Sequence, residues 1–181
     1  YKPLNLENAK VFGLELELRK NLSGWFSSLT NWNLNFNGSY IISDEKFSED
    51  ELRLRQLGLR DGQELGDSRP LQGQSPYLIN LGIEYNNQEK GIQGGLFFNV
   101  QGKTLQVVGD GFYPDVYTMP FNNLNFNMIK QLKKNKTLTF KVTNILDDAR
   151  ESQFIGFNEE SEYFSLRNIG RTFSLNYAVR F

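Results

Sequence analysis

Seven stretches of this chain alternate by twos between apolar and polar residues, and no charge interrupts the middle of any apolar set. Successive strand residues point to opposite faces of a sheet, so each stretch predicts a β-strand with one apolar and one polar face. Segment 11–20 sets Phe12, Leu14, Leu16 and Leu18 against Gly13, Glu15, Glu17 and Arg19. Segment 32–43 sets Trp32, Leu34, Phe36, Tyr40 and Ile42 against Asn33, Asn35, Asn37 and Ser39. Segments 77–85, 92–102, 121–131 and 137–146 repeat the pattern, with Tyr77, Leu81, Tyr85, Phe98, Phe126 and Phe140 among the apolar residues. The last, 171–181, sets Phe173, Leu175, Tyr177, Val179 and Phe181 against Thr172, Ser174, Asn176, Ala178 and Arg180. Phe97, Ile41 and Ile129 fall on the polar face, and Phe121 and Asn144 break parity near strand ends.

A soluble sandwich or a lipocalin-like barrel also alternates. It has no reason to sort its connections by side, and these connections are sorted. Residues 21–31, 86–91 and 132–136 form short connections; 44–76, 103–120 and 147–170 form long ones. With consecutive strands antiparallel, all the short connections fall at one end and all the long ones at the other. Outer-membrane barrels have this form, with short periplasmic turns and long extracellular loops. The aromatics suggest two interfacial belts. Trp32, Tyr85 and Phe181 sit at the short-connection ends, and Phe12, Tyr40, Tyr77 and Phe173 near the long-connection ends. The expected fold is therefore all-β, an antiparallel transmembrane β-barrel segment of about seven strands. Bacterial single-chain barrels have an even strand count, and an open sheet in lipid leaves unpaired backbone edges. Residues 1–181 are thus expected to be one portion of a larger barrel.

Composition narrows the function. Twenty Lys and Arg against 21 Asp and Glu give no basic face for nucleic acid. There is no cysteine and no histidine. That removes disulfide frameworks, thiolate and imidazole zinc sites, and Ser-His-Asp or Cys-His catalysis. The expectation is neither an enzyme nor a cofactor protein. No run approaches the roughly 18 apolar residues of a membrane helix, whereas a spanning strand needs only about 9–11. The opening "YKPLNLENAK" does not resemble a signal peptide, and the chain reads as mature, trimmed or cut from something longer.

Four stretches carry a family resemblance: "NLENAKVFGLELELRKNL" (5–22), "RPLQGQSPYLINLGIEY" (69–85), "FNVQGKTLQVVGDGFYPDVYTMP" (98–120) and "LTFKVTNILDDARE" (138–151). In order and spacing they resemble the last strands of a TonB-dependent receptor of the kind common in Bacteroidota. Leu146 stands where many members have Phe. The resemblance implies the C-terminal part of an outer-membrane transporter of roughly 22 strands that imports a scarce nutrient: a siderophore, vitamin, glycan or peptide. The implied partners are the lipid bilayer, the rest of the barrel and its plug, TonB, the barrel-assembly machinery and a surface lipoprotein. The C-terminus would lie in the periplasm, and Phe173, Leu175, Tyr177, Val179 and Phe181 would form the barrel-assembly signal. The rival reading is a porin-like or adhesin-like barrel without TonB coupling.

The long connections hold the remaining candidates. Phe112, Tyr113, Tyr117, Phe157 and Tyr163 are candidate ligand contacts, because loop aromatics can stack on sugars or aromatic ligands. Phe154 and Phe164 lie beside them. The mixed charges of 43–70 read as a solvated loop, with Ser48 and Glu51 spaced as a capping box for a short helix. Glu15, Glu17 and Arg19 would face a lumen. "GDG" (109–111) is a turn, since no Lys and no helix follow it as in a phosphate loop.

Overall fold

The computed structural model describes residues 8–59, 61–62, 64–156 and 161–180. Seven long strands occupy the seven alternating segments: β1 (Ala9–Asn21), β2 (Trp32–Lys46), β4 (Tyr77–Asn87), β5 (Ile92–Gln101), β8 (Phe121–Lys133), β9 (Lys136–Thr143) and β12 (Thr172–Val179). They pair antiparallel in sequence order, β1-β2-β4-β5-β8-β9-β12. The two-residue strand β3 (Ser68–Arg69) adds to the end of β2.

Seven strands were too few. Among the described residues there are twelve, because the long connections build a second antiparallel sheet. Its order is β11 (Glu162–Arg167), β10 (Arg150–Ile155), β7 (Asp115–Thr118), β6 (Thr104–Val107). These strands are four to six residues long, too short to advertise a period. One helix, α1 (Glu49–Leu57), lies between β2 and β3. Ser48 caps it, its hydroxyl accepting from the Glu51 amide at 3.2 Å. The protein is all-β with antiparallel sheets, and the described strands do not close into a barrel: the outer edges of β1 and β12 have no partner strand. No described helix is long and apolar enough to cross a membrane, which has no bearing on strands.

Register carries the alternation across the whole large sheet. On one face Leu18, Phe36, Leu81, Phe98 and Leu124 lie in one row, and Leu34, Ile83, Leu96, Phe126, Val142 and Phe173 in the next. On the other face Glu17, Asn37, Asn80, Asn99 and Asn123 align. The apolar face is not covered by any described element. Leu14 is 68% exposed, Phe12 66% and Leu175 70%. Among the described residues the buried apolar side chains number only three, Leu105, Val116 and Val142, so a conventional two-layer core does not hold this sheet together.

Parity breaks have local causes. The Phe97 ring lies on the polar face over two glycines; a Cβ on Gly95 would come within 2.8 Å of it and one on Gly82 within 3.1 Å. The ring thus fills space that only a missing side chain leaves. Asn144 follows the end of β9 in the left-handed region, at φ 54, and is almost fully buried. Its amide donates to the carbonyls of Asp148 (3.0 Å) and Gly170 (3.1 Å), and its side-chain oxygen accepts from the Asp148 amide. One side chain therefore ties the end of β9 to the approach to β12. Asn and Asp tolerate this conformation better than other non-glycine residues.

Candidate functional site

The polar face of the large sheet is built from neutral amides. Asn99 donates to Asn80 at 2.7 Å, Asn80 to Asn37 at 3.3 Å, and Asn37 to the Glu15 carboxylate at 2.9 Å. This side-chain ladder crosses four strands in the direction of the backbone hydrogen bonds. Glu84 accepts from Asn35 beside it. Glu15, Glu17 and Arg19 share this face, as expected, and Arg19 pairs with Glu17 at 2.7 Å.

Above the long-connection end lies a chain of ion pairs. Arg69 makes a two-pronged contact with Glu45, at 2.7 and 3.1 Å. Arg69 and Arg55 both donate to one oxygen of Glu51, at 3.2 and 3.0 Å. Arg55 then grips Asp115, at 2.8 and 3.3 Å, and stacks on the Phe47 ring at 4.7 Å. The order Glu45–Arg69–Glu51–Arg55–Asp115 joins β2, β3, α1 and β7. Burial opposes the charge of Arg55, but the hydrogen bond and proximity of Asp115, and then Glu51, outweigh it and hold its pKa above the ordinary value. Burial also pushes the Tyr117 phenol up, Asp115 adds to this, and Arg55 and Arg69 oppose it. Segment 43–70 is therefore solvated only in part: Asp44, Lys46, Glu49, Asp50 and Arg53 are exposed, as its charge run suggests, but Glu45, Glu51, Arg55 and Arg69 pair with one another and with Asp115. Glu45 and Arg55 are among the most buried residues described, at 2% and 4% exposure. Only half of the capping box forms, because the Glu51 carboxylate turns to the arginines.

Between the polar face and the small sheet opens a cleft of about 470 Å³. Asn80, Asn99 and Asn123 line it from the large sheet, and Arg150, Ser152, Ser165 and Arg167 from β10 and β11. Phe121, the parity-breaking residue, lies at its edge and carries the Arg150 guanidinium 4.7 Å from its ring centroid. None of these cleft residues stood out as a candidate in the sequence. Their strands are short, and the two arginines lie 17 positions apart, Arg150 within the mixed-charge run Asp147–Glu151.

The loop aromatics do not converge. Phe112 and Tyr113 are exposed on the turn made by residues 109–113, where Asp110 accepts from both of their amides. Tyr117 lies in β7 under the Lys103 ammonium, 4.6 Å from the ring centroid. Tyr163 is exposed on β11, while Phe154 and Phe164 pack edge to face, with centroids 5.3 Å apart. Phe157 and Phe181 lie outside the described residues.

The belt aromatics do pair. Trp32 lies opposite Tyr85, with ring centroids 5.1 Å apart, and Tyr40 lies opposite Tyr77, both on the apolar face. Phe12 pairs with Ile42 in the outer part of β1. On β12, Phe173, Leu175, Tyr177 and Val179 lie opposite Val142, Phe140, Leu138 and Lys136 of β9. Among the described residues no group of His, Cys, Asp and Glu is arranged to hold a metal ion. Compared with protein-family models, curated proteins and solved structures, the chain gives no match.

Proposed function

We propose that this chain is the C-terminal strand segment, with its extracellular loops, of a TonB-dependent outer-membrane transporter that imports a scarce nutrient. The carrying observation is the continuous apolar face of a sequentially paired antiparallel sheet, which no described element covers and which presents exposed apolar side chains on strands from β1 (Leu14) through β4 (Ile83) and β5 (Leu96) to β12 (Leu175). In water such a surface is a liability; in hydrocarbon it is the solvent-facing side of a barrel. Two further features support the reading. The helix α1 and all the described strands outside the seven long ones sit at the long-connection end, where extracellular loops belong, while the short connection 21–31 holds only one 3-10 turn (Leu22–Gly24). The Trp32–Tyr85 and Tyr40–Tyr77 pairs are eight residues apart along β2, about 27 Å of strand. A usual barrel tilt turns this into about 20 Å of height, near the apolar band of about 25 Å.

The open edges of β1 and β12 then belong to further strands of the same barrel, since each unpaired group in lipid costs several kcal/mol. In this reading the asparagine face looks into the lumen toward a plug, the short connections lie in the periplasm, and β12 is read by the barrel-assembly machinery. TonB acts through the plug-bearing part of the protein, and a surface lipoprotein is a candidate partner at the long-loop end.

The test uses single cysteines at 175 and 176 in the intact membrane protein. Position 175 is expected to react with or be quenched by a lipid-chain probe, and 176 is not. Leu175→Arg is expected to cost about 2–4 kcal/mol in a bilayer unfolding titration, and Asn176→Arg less than about 1 kcal/mol. Lipid contact at neither site, or at 176 in place of 175, overturns the reading.

A further inference from the structure

The cleft between the two sheets holds an arrangement that the barrel reading does not use. Arg150 and Arg167 lie directly opposite each other across β10 and β11, and the next pair inward on the same face is Ser152 with Ser165. Like charges placed opposite on neighbouring strands repel and weaken the pairing. Neither arginine takes part in an ion pair among the described residues. Both are exposed, and both line the cleft. Arg150 is held in place by the Phe121 ring beneath its guanidinium. The cleft also includes Glu151 in its lining, and Gln153 donates to that carboxylate at 3.2 Å. By strand alternation Glu151 points to the other side of β10 from Arg150 and Ser152. The opposing wall offers neutral amides from Asn80, Asn99 and Asn123.

We infer that this cleft binds an oxyanion, a carboxylate- or phosphate-bearing small solute. Two guanidinium forks match such groups in a two-pronged geometry, and the serine hydroxyls and asparagine amides serve the rest of a polar molecule. A bound anion also relieves the Arg150–Arg167 repulsion, so the ligand stabilises the small sheet. As a binding site this stands on the cleft alone. As the substrate class of a transporter it rests on the function proposed above.

Binding of citrate, inorganic phosphate and maltose to the intact protein in detergent, by calorimetry, tests it. At least one of the two anions should bind, and maltose should not. Arg150→Gln and Arg167→Gln should each weaken that anion about ten-fold or more, whereas Lys134→Gln, an equal charge change in the exposed turn between β8 and β9, should not. Citrate alone assigns carboxylates; phosphate alone assigns phosphate. Thermal melting is the second readout. Without anion, Arg167→Gln should melt no lower than the parent protein, and anion should raise the melting temperature of the parent only. The inference fails if neither anion binds, if binding is indifferent to both arginines, or if maltose binds equally well. It also fails if Arg167→Gln melts lower and anion protects both proteins alike. Arginine-dependent binding with no matching loss of anion uptake in cells keeps the site and counts against the transport reading.

Discussion

At the scale of single residues, the long-connection end depends on side chains that span large gaps in sequence. Arg55 reaches Asp115, sixty positions away, and Arg69 reaches Glu45. A charge run says that ions are present but not that they pair, so burial of this network was not legible in 43–70. Buried ion pairs add little net stability over an apolar replacement, yet removing one partner leaves the others uncompensated. Arg55→Met leaves Asp115 without its cation and Glu51 with Arg69 alone. It is expected to destabilise the docked loops by about 3–5 kcal/mol. Amide hydrogen exchange in 49–58 and 109–118 reads this directly, and unchanged protection there would refute the interlocking role. Asn144 is the opposite case. Its place in "TNILDD" drew attention as a resemblance, and the reason emerges from geometry: a left-handed backbone whose side chain bonds two separate segments.

At the scale of elements, the seven long strands were legible nearly to their ends. Each is long enough for several repeats of a two-residue period, and each has a different environment on its two faces. The small sheet was not. A strand such as β6 alternates for only two periods, Thr104, Leu105, Gln106 and Val107, and buries both Thr104 and Leu105, so it has no distinct wet and dry face to mark it. The docking of α1 was equally invisible. It depends on backbone contact: a Cβ on Gly58 would lie 1.9 Å from the Gly111 carbonyl oxygen, and Gly111 itself has φ +95. The helix end and the turn made by residues 109–113 touch because neither has a side chain there. Gly58→Ala should therefore push the helix off the turn while leaving the seven-stranded sheet intact. Limited trypsin digestion should cut within 46–69 on the order of ten-fold faster than in the parent. Equal cutting rates would show that the contact does not hold the helix.

At the scale of the whole molecule, the large sheet has two free edges and an apolar face without a cover. On the barrel reading proposed above, residues 1–181 produced alone in detergent should not run as a discrete, heat-modifiable folded monomer, because closure would need further strands. A sharp folded band that shifts on boiling would contradict this. The order β1-β2-β4-β5-β8-β9-β12 has one more consequence. Among the long strands, each pairs only with those before and after it in the chain, and the longest connection between them is about 30 residues. Closing such loops costs entropy that grows only slowly with length. Each finished hairpin thus presents a free edge to the next as it arrives, so the sheet can grow by templated addition in the order of synthesis. The same property makes it a ribbon of interchangeable units: a hairpin gained or lost by duplication or deletion changes its width without disturbing the pairing of any other.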